Sequence, residues 1–295
     1  MNLIDEHLGK IPEYPLYHYT TAAGLIGILE NRTLWASDMR HLNDSRELVY
    51  AIEIVKEELA KRSNGLEGLY GPLGWSPDQG VQNLLKQLEK FTNSTFYVAS
   101  FSRHKDVLSQ WRAYCNEGNG YAIGFKPGSL VQLKKSECYL VQCIYEPEKQ
   151  KTLCNALIDS YFTLDEDLQE MSGSLWKGHK LAQWSEKILI LALAIKHQGF
   201  AEEAEWRLIL RESDKDIVDF RPGRFGVVPY LNVRLLSTDE KLVIAELVVG
   251  PSEGSEASRK SAEKLMEKYA YRPQPPPIIH TKPYEITLSS ITYRN

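Results

Sequence analysis

Between Phe96 and Phe101 the chain reads Phe-Tyr-Val-Ala-Ser-Phe, a dense run with no charged residue. Apolar groups stand at both odd and even positions, so the segment reads as a strand buried on both faces. A chain that contains such a strand has to cover it from two sides. The pieces around it are short extended segments and longer helical ones. Leu16-Tyr17-His18-Tyr19, Thr33 to Ser37, Tyr121 to Phe125, Tyr139 to Tyr145, Trp206 to Leu210, Val227 to Tyr230, Leu242 to Val249 and Glu285 to Tyr293 read as strands.

Helices are expected over Ala22 to Glu30, with a hydroxyl cap from Thr20 or Thr21, and after Asp44 or Ser45, where Leu48, Ile52, Val55 and Leu59 form an apolar stripe. Further helices are expected over Val81 to Phe91, Val107 to Tyr114, much of Pro147 to His197, and Ser255 to Tyr269. Asn64 to Gln79 reads as a loop, and Pro273 to Pro277 as a connector. Helices and strands are segregated rather than strictly alternating, which argues an α+β fold. The expectation is a mixed central β core, split into two small sheets and surrounded by helices. One domain is expected over residues 1–295, with a core at about 14–250, a helical insert at about 147–198 and an extension at 251–295.

Composition narrows the function classes. With 43% hydrophobic and 25% charged residues the chain has the balance of a globular protein, and its net charge of −4 gives no global attraction to nucleic acid or anionic membrane. The start, MNLIDEHLGK, has no apolar signal core, and Ile188 to Ile195 is too short to span a bilayer. A cytoplasmic protein with no membrane contact is expected. Cys115, Cys138, Cys143 and Cys154 form no Cys-x-x-Cys pair, so neither a disulfide framework nor structural zinc is expected. Dinucleotide-fold, P-loop, serine-hydrolase and zinc-protease motifs are absent from the sequence.

Four constellations could carry chemistry. His18, Tyr19 and Thr20 stand at a strand end, where imidazole and hydroxyl can bracket a ribose; the plainer reading is a satisfied strand histidine beside a core tyrosine. Asn43, Asp44 and Glu47 read chiefly as a helix cap, and also as a loop able to close over a ligand. Ser100 and Ser102 leave hydroxyls at a strand end, near Trp111 and Tyr114, which share a helix face. Glu203, Glu205 and Arg207 would point to one side if the segment is extended. Two carboxylates on one face need a positive partner. Arg207 can be one; a developing oxocarbenium in glycosidic cleavage can be another.

These residues resemble a bacterial domain-of-unknown-function family, DUF2971, over roughly Leu16 to Gly250. The likeness rests on Leu16 to Thr20, Leu42-Asn43-Asp44 with Glu47, Ser100-Phe101-Ser102, Trp111 with Tyr114, Gly124-Phe125, and Glu203-Ala204-Glu205 with Arg207. More loosely, the order of a His strand, a Ser strand and a Glu-x-Glu strand is similar to ADP-ribosyltransferases. That resemblance implies a split β core of their type and NAD as the substrate. It implies that His18 and Thr20 hold the NAD ribose, that Tyr19 or a later aromatic stacks near nicotinamide, and that Ser100 or Ser102 braces the site. Glu205 would be the catalytic carboxylate and Glu203 would orient a macromolecular acceptor (protein, DNA or RNA). No metal is required. A toxin or antiphage effector with a cognate antitoxin or defence-system partner fits this reading. Ser-Phe-Ser stands where those enzymes most commonly have Ser-Thr-Ser. The alternatives are a non-catalytic nucleotide- or nucleic-acid-binding module, and a nuclease-like effector using Asp44, Glu47 and the Glu pair with a divalent ion.

Overall fold

The computed structural model describes residues 3–41, 46–63, 86, 96–115, 120–132, 138–169, 186–213, 216–223, 226–236, 242–269 and 284–292. In chain order the elements are α1 (Leu3–Leu8), β1 (Leu16–Thr21), α2 (Ala22–Asn31), β2 (Thr33–Asp38), α3 (Arg46–Ser63), β3 (Phe96–Ser102), α4 (Leu108–Tyr114), β4 (Gly120–Phe125), α5 (Ser129–Gln132), β5 (Cys138–Gln142), α6 (Pro147–Gln169), α7 (186–194), β6 (Glu205–Arg211), β7 (Asp219–Gly223), β8 (Gly226–Arg234), β9 (Ile244–Val249), α8 (Ser255–Tyr269) and β10 (Glu285–Leu288). The fold is α+β, and the chain divides into two compact units.

One unit comprises Met1–Lys10, Met39–Phe96 and Val141–Ala201. Its described elements are largely helical. Apolar residues on several faces of α7 explain why the whole run Ile188 to Ile195 is buried. Gln150, fully buried, donates through Nε2 to the carbonyls of Ile144 (2.7 Å) and Lys196 (2.9 Å) and accepts at Oε1 from Tyr50 (3.2 Å). One amide side chain thereby satisfies two buried carbonyls where the chain leaves α7.

The other unit comprises Ile11–Asp38, Tyr97–Leu140 and Glu202–Asn295 and holds the sheet. Its strands run β10-β9-β4-β1-β3-β2-β8-β7, and β6 branches off to pair β3 and β5. Neighbours are antiparallel from β9 to β7 along this path, while β10 lies parallel to β9. The expectation of two small sheets is therefore corrected: the strands form one ten-stranded sheet that branches at β3. β3 can branch because different residues of it serve different partners. Ser102 lies opposite Tyr17 of β1, and Val98 and Tyr97 lie opposite Ser37 and Asp38 of β2.

Alternation sorts the side chains. Leu16, Leu34, Ala36, Tyr97, Ala99, Phe101, Ile123 and Phe125 enter one large core with α2 and α8 residues such as Leu25 and Met266. Tyr17, Tyr19, Ala122 and Val248, on the opposite face, form a second cluster with Trp111 and Cys115 of the α4 region. Thr21 caps α2 by accepting from the Gly24 amide at 3.1 Å. Arg32 then ends that helix in the left-handed region at φ 55°, so β2 can start at once. The four cysteines are buried thiols, and none is in a disulfide. No helix among the described residues is long and apolar enough to cross a membrane.

Candidate functional site

His18 sits mid-strand in β1, opposite Ile123 of β4. Its Nδ1 donates to the Ser100 carbonyl at 3.0 Å. A carbonyl only accepts, so the proton is on Nδ1 and the neutral ring keeps Nε2 as an acceptor. Burial pushes the imidazole below its ordinary value, against the raising effect of the Ser100 carbonyl. The ring leans on Phe101, centroids 5.9 Å apart. His18 thus meets the backbone of Ser100, not its hydroxyl, and packs on the large-core side with Phe101.

Tyr19 points to the other face of β1, as strand alternation requires. Its ring meets Trp111 edge-on, with centroids 4.6 Å apart. Its hydroxyl donates to the His104 carbonyl (2.9 Å) and accepts from the Val107 amide (3.2 Å). Burial pushes its pKa well above the ordinary tyrosine value. Trp111 is buried and donates through Nε1 to Asp106 at 2.8 Å, and Tyr114 packs on the same cluster. Thr20 is partly buried beside Gly24, where a Cβ would stand 2.0 Å from the threonine Oγ1. The glycine in α2 leaves room for that hydroxyl.

Ser102 is buried; its hydroxyl donates to the Glu203 carbonyl (2.7 Å) and accepts from the His104 amide (3.0 Å). The Arg103 amide donates to the Ala204 carbonyl at 3.1 Å. These bonds fasten the end of β3 to the turn entering β6. Glu203 closes a short 3-10 turn, Gln198–Glu203, and Ala204 adopts φ 42°. The sequence expectation that Glu203, Glu205 and Arg207 share one side is corrected here. Only Glu205 and Arg207 belong to the strand, and the left-handed Ala204 turns the chain before them.

Glu205 and Arg207 form a buried bidentate pair, 2.9 Å from Nε to Oε1 and 3.1 Å from Nη2 to Oε2. Trp206 and Leu208, between and beyond them, join the large core, so the pair projects from the opposite face of β6. Two parallel charge-assisted bonds with little water around them fix both side chains. Asn43 and Asp44 lie outside the described residues, and Glu47 falls in the first turn of α3, in the other compact unit. Among the described residues no three His, Cys, Asp or Glu side chains are grouped to hold a metal ion.

The sequence reading missed two carboxylates in this unit. Asp106 accepts from Trp111 Nε1 and Ser289 Oγ (2.6 Å) at one oxygen, and from the Ser290 amide (2.7 Å) and hydroxyl (2.8 Å) at the other. Burial works to raise it, but these bonds together outweigh that and hold it below the usual carboxylate range. Glu246 accepts from Tyr17 Oη (2.8 Å), Lys105 Nζ (2.8 Å) and Thr287 Oγ1 (2.9 Å), and is likewise held low against the effect of burial. The signal for Glu246 is visible in hindsight: a lone carboxylate in an apolar strand, Ile-Ala-Glu-Leu-Val-Val, has to find donors. Asp106 had no such local signal.

No curated protein and no solved structure matches the chain. A family model matches a stretch that takes in Trp111, Tyr114, Gly124-Phe125 and Glu203 to Arg207 but not His18, Ser100 or Ser102. That model, over residues 110–208, is of the family described as Protein of unknown function (DUF2971), to which this part of the chain is similar.

Proposed function

We propose that this chain is an ADP-ribosyltransferase-like enzyme that cleaves NAD and transfers ADP-ribose to a macromolecular acceptor. One observation supports the reading: β3 bonds to both β1 and β6, so Glu205 lies on a strand next to the serine strand, while His18, on the opposite face, serves only to brace β3 through the Ser100 carbonyl. In the reaction the bond from nicotinamide nitrogen to the ribose carbon breaks and the nitrogen keeps the electron pair. An acceptor oxygen or nitrogen then bonds to that carbon and loses its proton. The Glu205 carboxylate would stabilise the positive charge developing on the sugar. The test is nicotinamide release from NAD in the presence of protein, DNA and RNA acceptors. Glu205→Gln is expected to lower release by roughly a hundredfold or more, with near-ultraviolet circular dichroism confirming that the variant is folded. No release by the wild type, or equal release by a folded Glu205→Gln, removes the reading.

A second reading, a non-catalytic nucleotide-binding module, is favoured by the Arg207 clamp. Both Glu205 oxygens already accept from the guanidinium, which offsets the charge that catalysis would use. Calorimetric NAD binding that survives Glu205→Gln, without turnover, selects it.

A further inference from the structure

Where β2 pairs β8 the sheet has one face in the core and one in water. Leu34, Ala36, Leu231 and Val233 supply the core side. On the water side Trp35, 45% exposed, lies against Tyr230, ring centroids 4.6 Å apart and planes tilted by 34°. Arg221 reaches across the sheet and donates through Nη2 to Ser37 Oγ at 2.9 Å. Asn232 sits directly opposite Trp35 in the ladder and donates to Asp219 at 2.6 Å. Arg234, opposite Thr33, shares this face by alternation and is exposed.

An isolated surface tryptophan would need no explanation. Here a second aromatic, two guanidinium groups, an amide and one carboxylate, Asp219, which is taken up by that amide, occupy one sheet face, several of them held by cross-strand bonds. Planar π surfaces flanked by cations match the two parts of a nucleotide strand, the base and the phosphate. An apolar protein partner would not call for the arginines. We propose that the Trp35–Tyr230 face is a stacking platform for single-stranded nucleic acid, with Arg221 and Arg234 beside the backbone phosphates. This goes beyond the NAD reading and does not depend on it.

The full chain is titrated into a fluorescein-labelled oligodeoxythymidylate of about twelve nucleotides, a length within the span of one such platform, and followed by anisotropy. Saturable binding that weakens as salt rises is expected. Trp35→Ala and Tyr230→Ala should each weaken it by roughly tenfold or more. Trp35→Phe should retain most of it, and Arg221→Ala should flatten the salt dependence. Because Trp35 faces water, Trp35→Ala is expected to fold, and thermal melts check this; should it not, Trp35→Phe against Trp35→Leu carries the same comparison. Absence of binding by the wild type, or binding unaltered by both aromatic substitutions, overturns the proposal. So does a concentration-dependent dimer abolished by Trp35→Ala while oligonucleotide binding is unchanged, which would assign the face to a second copy of the chain.

Discussion

Arg207 bonds to both oxygens of Glu205 where neither group has water to fall back on. The two residues therefore stand or fall together. Arg207→Met removes the bidentate guanidinium from a buried carboxylate and is expected to cost about 3–5 kcal/mol in urea denaturation. Adding Glu205→Leu to that variant should restore most of the loss, because two matched apolar groups leave no stranded charge. A cost for Arg207→Met alone below about 1 kcal/mol would show that solvent reaches the pair. The same pair shows what a sequence does and does not reveal at this scale. The i, i+2 spacing foretold the contact between Glu205 and Arg207. It wrongly included Glu203, because the positive φ of Ala204 is a backbone fact that alanine does not advertise.

Among the elements, β10 and the residues after it illustrate stabilisation from afar. Asp106 accepts from Ser289 and Ser290 as well as from Trp111, so one carboxylate ties the end of β10 to the start of α4. Asp106→Ala is expected to speed amide exchange at Ser290 and Ile291 by roughly tenfold or more, consistent with the loss of charge-assisted bonds, while exchange in the β4 interior stays slow. Unchanged protection at Ser290 would mean the strand pairing alone holds it. Most of the fold was legible where local pattern decides the element. α8 matches its expected span of Ser255 to Tyr269, and the strands around His18, Trp35, Phe96 and Tyr121 fall where apolar runs placed them. β7, Asp-Phe-Arg-Pro-Gly, was not legible. It has neither alternation nor strand propensity, and it is extended because β8 pairs with it residue by residue. The bonds made by Asp106 and Glu246 were illegible for a related reason: their donors lie far away in the chain.

At the scale of the whole molecule, acid is expected to destabilise the protein in two steps. Burial holds His18 and His7 below the ordinary imidazole value of 6.5, so the unfolded chain binds protons that the folded one refuses. The stability they contribute is full above that pH and is lost as pH falls below it. Asp106 and Glu246 sit below their ordinary 3.8 and 4.5, so their contribution is present above those values and disappears further down. Urea melts across the acid range should show both stages, with His18→Asn reducing the first. A flat profile from neutrality to about pH 5 would contradict the histidine assignment. The branch at β3 bears on how the molecule is made. β1 and β2 precede β3 in the chain, but β6 is synthesised only after about a hundred further residues, which include β4, β5 and α6. On the ribosome the atoms of β3 that will bond to β6 therefore wait, exposed to any other extended peptide. The nascent chain, before Glu205 to Arg211 emerges, is the form most in need of a chaperone.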